Sequence, residues 1–360
     1  MTGEGDRIED LLVVGAGIVG ALVAAAARLR YPGWRIALVE RAAIGQGATG
    51  HSAGLMPVVG RTEAARRRAV RARQGYAALR AHGLTLPGSE VRACWVVAAA
   101  RRRELEEHCG GPLEPLAGNR RTAPSAVGPA PSLERDEILL DAGLVARLDA
   151  LAALRELVRW GRERGVACHE GIAVRRISGG PIWSLECSDG VARRAWRVVL
   201  ATGPWQLLDP LWEPLWEPLW GPLVPARDAR TKKIVALHVV PAPEPGARLI
   251  LFPDEDAFLL PVPEHGRWLL SVPCRAWDWQ PDDHSLSAVD LELARSVLAR
   301  RFPRWEARVS GATVFGDAYR PDRQPIVQRL ASSVVRVGCC SGSGVRLGPA
   351  LAEEALAELS

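Results

Sequence analysis

The stretch from Asp10 to Arg30, DLLVVGAGIVGALVAAAARLR, constrains the fold of this chain more than any other. A short apolar run leads into G-x-G-x-x-G, and an alanine-rich segment of helical character follows it. Gly15 permits a tight turn, Gly17 lets the backbone approach a pyrophosphate, and Gly20 allows a helix to pack closely on a strand. The stretch therefore predicts a βαβ unit whose helix N-terminus binds the phosphates of a dinucleotide.

A second strand, WRIALVE, supports this interpretation because it ends in Glu40, twenty residues after Gly20. An acidic side chain at this distance accepts hydrogen bonds from the adenosine ribose and disfavours the 2′-phosphate of NADP. The loop that follows, residues 41–57, contains four glycines and is too long for an ordinary turn in such a unit. A loop of this kind suits a chain that passes a second, larger group beyond the pyrophosphate, which favours FAD over NAD.

The composition limits the class of protein. With 360 residues, of which 48% are apolar and 24% charged, the chain is an ordinary globular protein long enough for two domains. Its net charge of +5 comes almost entirely from arginines spread along the chain, because Lys232 and Lys233 are its only lysines. The densest basic run, residues 61–80, is interpreted as a solvated helix rather than a phosphate-binding surface. We therefore expect no nucleic-acid partner.

Cysteine usage and the N-terminal residues indicate the compartment. The seven cysteines are scattered and form no CxxC pair, which predicts a reducing compartment and neither a zinc site nor a disulfide framework. The first ten residues are acidic where a signal peptide would be basic. Three glycines interrupt the apolar stretch Leu11–Leu29, which argues against a transmembrane helix. The sequence predicts a cytoplasmic protein with no metal ion and no membrane span.

Five motifs together resemble one family, the FAD-dependent amine and amino-acid oxidoreductases of the D-amino-acid oxidase, glycine oxidase and sarcosine oxidase group. They are VVGAGIVG, VER followed by GATGHSAGL, VVLATGPW near residue 200, GDAYRPDRQPIV, and VRVGCCSGSGVRLGPALAEE. Each motif is modest alone, but they occur in the family's order between residues 11 and 357. Their joint order makes the resemblance specific.

The resemblance implies a fold class that combines α/β and α+β, with a Rossmann-type FAD-binding domain interleaved with a substrate domain built on an antiparallel sheet. The FAD-binding domain would comprise residues 1–85, 146–210 and 306–360, and the substrate domain residues 86–145 and 211–305. Local patterns agree with this division. Residues 144–166 predict an amphipathic helix, and residues 234–272 predict antiparallel strands. PDDHS, residues 281–285, is interpreted as the capped start of a helix rather than a metal site.

Carried over residue by residue, the resemblance also implies a cofactor site. It assigns the pyrophosphate to Gly15, Gly17, Ile18, Val19 and Gly20, the adenosine end to Glu40, Arg41 and the backbone of Val174, and the flank of the flavin to Ala48, Thr49, His51, Ala53, Gly54 and Leu55. Thr202, Gly203 and Trp205 would close the second crossover, and Gly342, Ser343, Gly344, Val345 and Arg346 would lie by the pyrimidine edge. Non-covalent FAD is expected, and a covalent link through His51 is the alternative, since some relatives attach flavin in a similar HAAGL setting.

The reaction implied by the resemblance is hydride transfer from the Cα–H of an amino acid or N-substituted glycine to flavin N5. The imine would be hydrolysed to an oxo acid, and O2 or another acceptor would reoxidise the flavin. The alternatives are a 2-hydroxy-acid oxidoreductase on the same scaffold and a catalytically degenerate flavin-binding subunit of a larger complex. The oligomeric state is left open.

The candidate substrate contact is Arg320 in YRPDRQP, because the planar fork of an arginine suits a carboxylate. The alternative is an ion pair between Arg320 and Asp317 or Asp322. Tyr319 is a second candidate contact, and packing in the core is its alternative. Relatives use tyrosines of the substrate domain, but residues 211–305 contain none. Either His238, Trp268 or neighbouring residues take their place, or the substrate is a different one.

The repeat LWEPLWEPLW, residues 211–220, follows the last motif of the predicted cofactor segment before the substrate domain. Proline at every fourth residue excludes a regular helix and a central strand. We interpret the repeat as a crossover whose tryptophans pack on the domain junction. A substrate lid is the alternative.

Overall fold

The computed structural model describes residues 7–116, 128–207 and 229–359. The repeat at residues 211–220 lies outside the described residues, so both interpretations of it stay predictions. Within the described residues the strands, in chain order, are β1 (Ile8–Glu9), β2 (Leu11–Val14), β3 (Ile36–Val39), β4 (Gly88–Ala98), β5 (Glu137–Leu148), β6 (Val166–His169), β7 (Val174–Gly179), β8 (Trp183–Cys187), β9 (Ala192–Ala195), β10 (Val198–Leu200), β11 (Arg230–Val240), β12 (Leu249–Phe252), β13 (Ala257–Val262), β14 (Arg267–Val272), β15 (Arg308–Tyr319), β16 (Ile326–Ala331) and β17 (Val334–Gly338). The helices are α1 (Ile18–Arg30), α2 (Glu63–Ala81), α3 (Arg102–Cys109), α4 (Ala150–Glu163), α5 (Ala288–Arg301) and α6 (Gly344–Glu358).

The predicted βαβ unit lies at the centre of a six-stranded sheet, ordered β16-β17-β10-β2-β3-β6. Every neighbouring pair is parallel except β16 and β17. Strand β2 is completely buried, as expected for a parallel sheet covered on both faces. Helices α1, α4 and α6 bury their apolar faces in one core with this sheet, and Tyr76 of α2 donates a hydrogen bond to the carbonyl of Val345 at 2.6 Å. The carboxyl ends of the parallel strands therefore meet along one edge.

The second large sheet has seven strands, ordered β15-β11-β14-β13-β12-β4-β5. All of its pairs are antiparallel except β12 with β4. The long pairing between β11 and β15 brings Arg230 opposite Tyr319 and Lys232 opposite Asp317. Residues of α5 share a core with this sheet. This architecture confirms the predicted fold class.

A third, smaller sheet has the order β1-β9-β8-β7 and packs in a separate apolar cluster with the six-stranded sheet. Among the described residues, no helix is long and apolar enough to cross a membrane.

Two local predictions differ from the structure. Residues 144–148 belong to β5 and not to the amphipathic helix predicted over 144–166, because they pair with β4, with Gly88 opposite Leu148. The helix begins only at Ala150, where the Asp149 side chain accepts a hydrogen bond from the Ala152 N–H at 3.0 Å. Similarly, the helix predicted after residues 281–285 is capped by Ser287, which forms a capping box with Asp290.

The strands of the seven-stranded sheet extend beyond the predicted substrate segments. Strand β5 continues to Leu148, past the predicted boundary at residue 145, and β15 occupies residues 308–319, which the prediction gave to the FAD-binding segment. Strand β15 joins this sheet because it pairs with β11 along its whole length. The sequence of residues 308–319 contains no local pattern that identifies β11 as the partner. Both sheets contribute residues to the site described next.

Candidate cofactor and substrate site

A cavity of about 1260 Å³ lies at the carboxyl edge of the six-stranded sheet, with one wall from that sheet and another from the seven-stranded sheet. Small-molecule pockets usually occupy about 300–1,000 Å³, so this cavity is large enough for an extended ligand together with a second molecule. Ligands of open α/β sheets bind at this edge, beyond the carboxyl ends of the strands.

The turn after β2 requires glycine. Gly15 has φ +99°, and a Cβ there would lie 2.5 Å from the carbonyl oxygen of Ala201. A Cβ on Gly20 would lie 1.9 Å from the Gly15 oxygen, so Gly20 packs beneath the turn and does not itself line the cavity. Gly17 caps α1 without a side-chain hydrogen bond, while the Ile18 N–H donates to Thr49 Oγ1 at 3.1 Å. This leaves a helix N-terminus on the cavity wall, the arrangement that binds phosphate groups.

Glu40 directly follows β3 and lines the same wall. Its carboxylate accepts hydrogen bonds from the Ala16 N–H at 2.8 Å and from the Ala42 N–H at 3.1 Å. A carboxylate has about four acceptor positions, so these two bonds orient Glu40 and leave others for ribose hydroxyls. Val174, predicted for the adenine, also lines the cavity.

The glycine-rich loop after β3 runs along the cavity. All six residues predicted beside the flavin line it, namely Ala48, Thr49, His51, Ala53, Gly54 and Leu55. Gly54 has φ +69°, and a Cβ there would lie 1.9 Å from the carbonyl oxygen of Leu148. The loop, which follows β3 of the six-stranded sheet, therefore packs against the end of β5 in the seven-stranded sheet. This contact connects the two large sheets.

The ring of His51 is stacked on Phe315 at 5.4 Å between centroids and lies 5.8 Å from His284. Burial, together with the nearby His284, lowers the pKa of His51 below its ordinary value. The His51 imidazole is therefore neutral at pH 7. His284 bonds through Nδ1 to the carbonyl of Val314 at 2.7 Å, which fixes its ring orientation.

The turn before α6 forms another part of the wall. Cys339, Ser341 and Gly342 have φ of +51°, +49° and +77°, and the last donates its N–H to Asp317 Oδ2 at 2.9 Å. Burial raises the pKa of Asp317 to about 6, although it also accepts the Ala318 N–H.

Of the five residues predicted for this turn, Gly342, Gly344 and Val345 line the cavity. Ser343 and Arg346 do not. The Arg346 guanidinium instead donates to the Val59 carbonyl at 2.5 Å and to Ser343 Oγ at 3.0 Å. These two residues stabilise the turn on the side that faces away from the cavity.

Three cavity-lining side chains connect the cofactor half of the cavity to the substrate half. The Arg41 guanidinium donates to both oxygens of Asp282, at 2.9 and 2.8 Å, and lies 4.6 Å from the ring centroid of Trp205. Trp205 Nε1 donates to Asp282 Oδ2 at 3.3 Å. We call Arg41, Trp205 and Asp282 the clasp. Thr202 and Gly203, predicted at the same crossover, also line the cavity.

The wall of the cavity on the side of the seven-stranded sheet carries charged side chains from three separate segments. Arg323, after β15, donates to Asp256 through two hydrogen bonds of 3.0 and 2.9 Å. Lys232 of β11 lies with its Nζ 3.7 Å from Asp256 Oδ2 and 5.0 Å from the ring centroid of Tyr319. All four residues line the cavity, and we call Lys232, Asp256 and Arg323 the charged cluster.

The predicted substrate residues are placed differently from one another. Tyr319 lines the cavity, and burial raises the pKa of its hydroxyl. Arg320 does not line it, because its guanidinium turns toward Asp322, 3.3 Å away, in one of the two ion pairs considered from the sequence. His238 bonds to Thr313 Oγ1 at 3.1 Å and Trp268 is buried in the core of the seven-stranded sheet, so neither reaches the cavity.

Sequence reasoning missed the charged cluster. Arg323 stands three residues after Arg320 in the same motif, and Lys232 is one of only two lysines, so both could have been singled out. No sequence signal pairs Asp256 with them. In the part of the chain that the structure describes, no group of three His, Cys, Asp or Glu side chains could hold a metal ion.

The residues of the cofactor wall fit FAD. The turn at Gly15, the N-terminus of α1 and the Glu40 carboxylate suit the pyrophosphate and the adenosine ribose. The cavity continues from there along the glycine-rich loop to the turn before α6. This leaves room for a further group beyond the pyrophosphate, where the flavin of FAD would lie.

Comparison with known proteins agrees with this fit. The model of a family described as FAD dependent oxidoreductase matches residues 10–359. No curated protein matches the chain. Among solved structures, glycine oxidase from Geobacillus kaustophilus is 17% identical, with a TM-score of 0.75 over 98% of this chain and 94% of that one.

Two further structures share the fold. L-proline dehydrogenase from P. horikoshii is 17% identical, with a TM-score of 0.77 over 96% of this chain and 92% of that one. L-alpha-glycerophosphate oxidase from Mycoplasma pneumoniae, solved with FAD bound, is 13% identical, with a TM-score of 0.74 over 98% and 95%. The family match over nearly the whole chain confirms the resemblance carried by the motifs, and the protein belongs to the FAD-dependent oxidoreductases of the D-amino-acid oxidase family, with FAD as its cofactor.

Proposed function

We propose that this enzyme oxidises the Cα–N bond of an amino acid or N-substituted glycine to an imine, which water hydrolyses to an oxo acid. The observation that carries the proposal is the charged cluster on the cavity wall that the seven-stranded sheet contributes. A positively charged end suits a substrate that carries a carboxylate. Glycine oxidase and L-proline dehydrogenase, two proteins of the same fold, are named for amino-acid substrates.

Arg323 is the proposed carboxylate clamp, in place of Arg320. Arg323 lines the cavity and already presents its planar fork to a carboxylate, that of Asp256, whereas the Arg320 guanidinium is engaged with Asp322. Lys232 is the second cation within reach of the same anion. Tyr319 forms the wall beneath the Lys232 ammonium.

Bound FAD supplies the hydride acceptor, flavin N5. The protein then has to orient the substrate and exclude water. Trp95, Leu251 and Phe258 supply apolar side chains to the cavity wall beside the charged cluster. A carboxylate held by Arg323 in this surrounding fixes one end of the substrate while the apolar wall limits access of solvent.

Oxidation of a 2-hydroxy acid is the second candidate function. Arg323 and Lys232 would recognise the anionic group of such a substrate and not the atom that is oxidised, and a glycerophosphate oxidase shares the fold. A degenerate subunit is disfavoured, because one cavity contains both the charged cluster and the residues of the cofactor wall.

The test is anaerobic bleaching of the flavin absorbance by D-amino, L-amino, N-methyl, cyclic imino and 2-hydroxy acids. Bleaching by an amino or imino acid, and not by the matched hydroxy acid, is the expected result. Bleaching by hydroxy acids alone would replace the proposal with the second candidate. If none of these substrates reduces the flavin of the isolated protein, the degenerate-subunit alternative gains support.

Non-covalent attachment of FAD is part of the proposal. His51 lies on the wall with a neutral imidazole, so its position alone does not decide between the two modes. Precipitation with trichloroacetic acid separates them: we expect a yellow supernatant and a colourless pellet. A yellow pellet would indicate a covalent link, and His51→Ala would then be expected to abolish it.

A cytoplasmic location and O2 or another small electron acceptor complete the proposal. All seven cysteines are free in the structure, which supports a reducing compartment.

A further inference from the structure

Asp256 lies in the turn that joins β12 to β13, at the third of three consecutive acidic residues. Each of the three binds a different part of the molecule. Asp254 accepts the Ala98 N–H at 2.9 Å and pairs with Arg101, and Glu255 pairs with two arginines at the end of α5, Arg300 and Arg301. The turn is therefore anchored through the two residues that precede Asp256.

The backbone of Asp256 has φ +52°, a conformation that costs energy for a residue with a side chain. The anchored turn holds this conformation, and it directs the carboxylate toward the cavity. Burial would raise the pKa of Asp256, but Arg323 and Lys232 hold the pKa below its usual value. The group is thus a carboxylate at neutral pH.

The charged cluster contains two cations and one carboxylate. Lys233 also lines the cavity, but its Nζ lies 2.7 Å from Asp290 Oδ2 and both side chains are almost completely buried, so this pair is neutral as a unit. Lys232 and Arg323 together share the single carboxylate of Asp256. The charged cluster by itself therefore carries one net positive charge, and Asp317, which lies opposite Lys232 in the β11–β15 pairing, is a further acidic group on the same cavity wall.

The geometry of the Asp256 carboxylate is that of a bound anion. Both of its oxygens occupy the fork of Arg323, at 3.0 and 2.9 Å, which is the bidentate arrangement that a free carboxylate adopts with arginine. The Asp256 side chain is 44% exposed, so an incoming anion can reach it. Any carboxylate that binds Arg323 must therefore share the guanidinium with Asp256 or displace the Asp256 carboxylate from it.

We propose that Asp256 determines substrate selectivity as an internal carboxylate that competes with the anionic group of the substrate for Arg323 and Lys232. With Asp256 in place, the cluster accepts one singly charged anion and disfavours a dicarboxylate. Without its charge, the same two cations bind a monocarboxylate more tightly and favour a dicarboxylate. The inference rests on the proposed function only in requiring an anionic substrate.

The test uses the FAD-loaded enzyme and its Asp256→Asn variant, which removes the charge and keeps the shape. Acetate and malonate serve as probes, and the change they cause in the flavin absorption spectrum reports binding without turnover. Because a hydrogen bond to a charged group typically changes affinity by about tenfold or more, we expect acetate to bind Asp256→Asn about tenfold more tightly. Malonate should gain by a larger factor than acetate.

Two controls test whether the gain in anion affinity comes from the Asp256 charge acting on Arg323. Glu292→Gln removes an exposed carboxylate of α5 that does not line the cavity, so its affinities should match those of the wild type. In the double variant Asp256→Asn with Arg323→Gln, the gain should disappear, because the competition takes place at the guanidinium.

Unchanged or weaker binding of acetate by Asp256→Asn would overturn the proposal, since Asp256 would then only orient Arg323. A measurement on the wild type alone gives a second test if the variant does not fold: acetate should bind at least as tightly as malonate, and tighter binding of malonate would contradict the charge balance. If no amino acid reduces the flavin but Asp256→Asn still binds acetate more tightly, the proposed function fails and the selectivity inference stands.

Discussion

The two ends of the cavity differ in whether backbone or side-chain atoms form their walls. The cofactor wall consists largely of backbone at tight turns, where Gly15 and Gly54 allow approaches that a side chain would block. The charged cluster consists of side chains from β11, the β12–β13 turn and the segment after β15, which are distant in sequence. Local sequence therefore determines the first end, and tertiary pairing determines the second.

This difference has a functional consequence. Turns that present backbone N–H groups recognise a phosphate or a ring edge in the same way whatever substrate is oxidised. Charged side chains on the opposite wall can change without disturbing those turns. We therefore propose that cofactor identity and substrate selectivity depend on separable parts of one cavity, and the following substitutions test that separation.

The largest effect is expected from Gly15→Ala, at the cofactor end. The new Cβ would lie 2.5 Å from the Ala201 oxygen at φ +99°, and strain of this kind costs roughly 1–3 kcal/mol before any loss of contact with FAD. We expect the purified variant to lack flavin absorbance and to bind added FAD at least about 100-fold more weakly. Gly33→Ala is the control, because a Cβ there meets nothing within 4 Å. Equal FAD affinity in both variants would contradict the account of this turn.

The next largest effect is expected from Arg323→Gln, at the charged end. Loss of one partner of a partly buried charge pair costs about 2–5 kcal/mol, so kcat/KM for a carboxylated amine should fall by about 30-fold or more. FAD affinity should stay unchanged. Arg320→Gln is the matched control, since Arg320 points away from the cavity.

If Arg320→Gln has the larger effect on kcat/KM, the original prediction from the motif is right and the assignment of the clamp to Arg323 is wrong. A loss of FAD from Arg323→Gln would show that the two ends are not separable.

A smaller effect concerns Asp317, which lies on β15 of the substrate sheet and binds the Gly342 N–H of the cofactor turn. Burial raises the pKa of Asp317 to about 6, so the folded protein holds its proton at a pH where the unfolded chain has lost it. Its contribution to stability is present below pH 4 and is lost as pH rises from about 4 to 6. Asp317→Asn should therefore be more stable than wild type near pH 7, by roughly 2 kcal/mol, and not near pH 4.

Thermal melts of the holoprotein from pH 4 to pH 8 measure this difference. A wild type that gains stability relative to Asp317→Asn as the pH rises would show that the Asp317 carboxylate is stabilised in its charged form.

The smallest effect is expected from the clasp. The Arg41 and Asp282 side chains are 43% and 66% exposed, and exposed ion pairs contribute about 0.2–1 kcal/mol each. Asp282→Asn removes the charge that joins Arg41 to Trp205, and we expect FAD to dissociate about two- to fivefold faster, with little change in kcat at saturating FAD. Flavin fluorescence after dilution measures the rate. Added salt should accelerate release from the wild type and not from the variant.

The sequence predicts the cofactor end in detail because its determinants are local. The glycine spacing after β2, the acidic residue after β3 and the positions of the loop residues follow from short motifs, and all but Gly20, Ser343 and Arg346 of the assigned residues line the cavity. Those three lie directly beneath or behind the turns that they support.

The charged end is less accessible to sequence analysis because side-chain direction depends on tertiary context. Arg320 and Arg323 share one motif, and only the path of the chain after β15 decides which guanidinium faces the cavity. Asp256 is connected to Arg323 by the pairing of strands far apart in sequence. Tertiary pairing also explains why β5 extends to Leu148. Residues 144–148 have a helical pattern, but they pair with β4 and form a strand.

Anaerobic reduction of the wild-type holoenzyme by an N-methyl amino acid and by the corresponding amine without its carboxylate tests the central claim most directly. The two compounds present the same C–N bond to the cofactor and differ only in the group that the charged cluster would hold. We predict that the amino acid bleaches the flavin at least about 100-fold more efficiently than the amine. Equal rates for the two, or bleaching by the amine alone, would contradict the account.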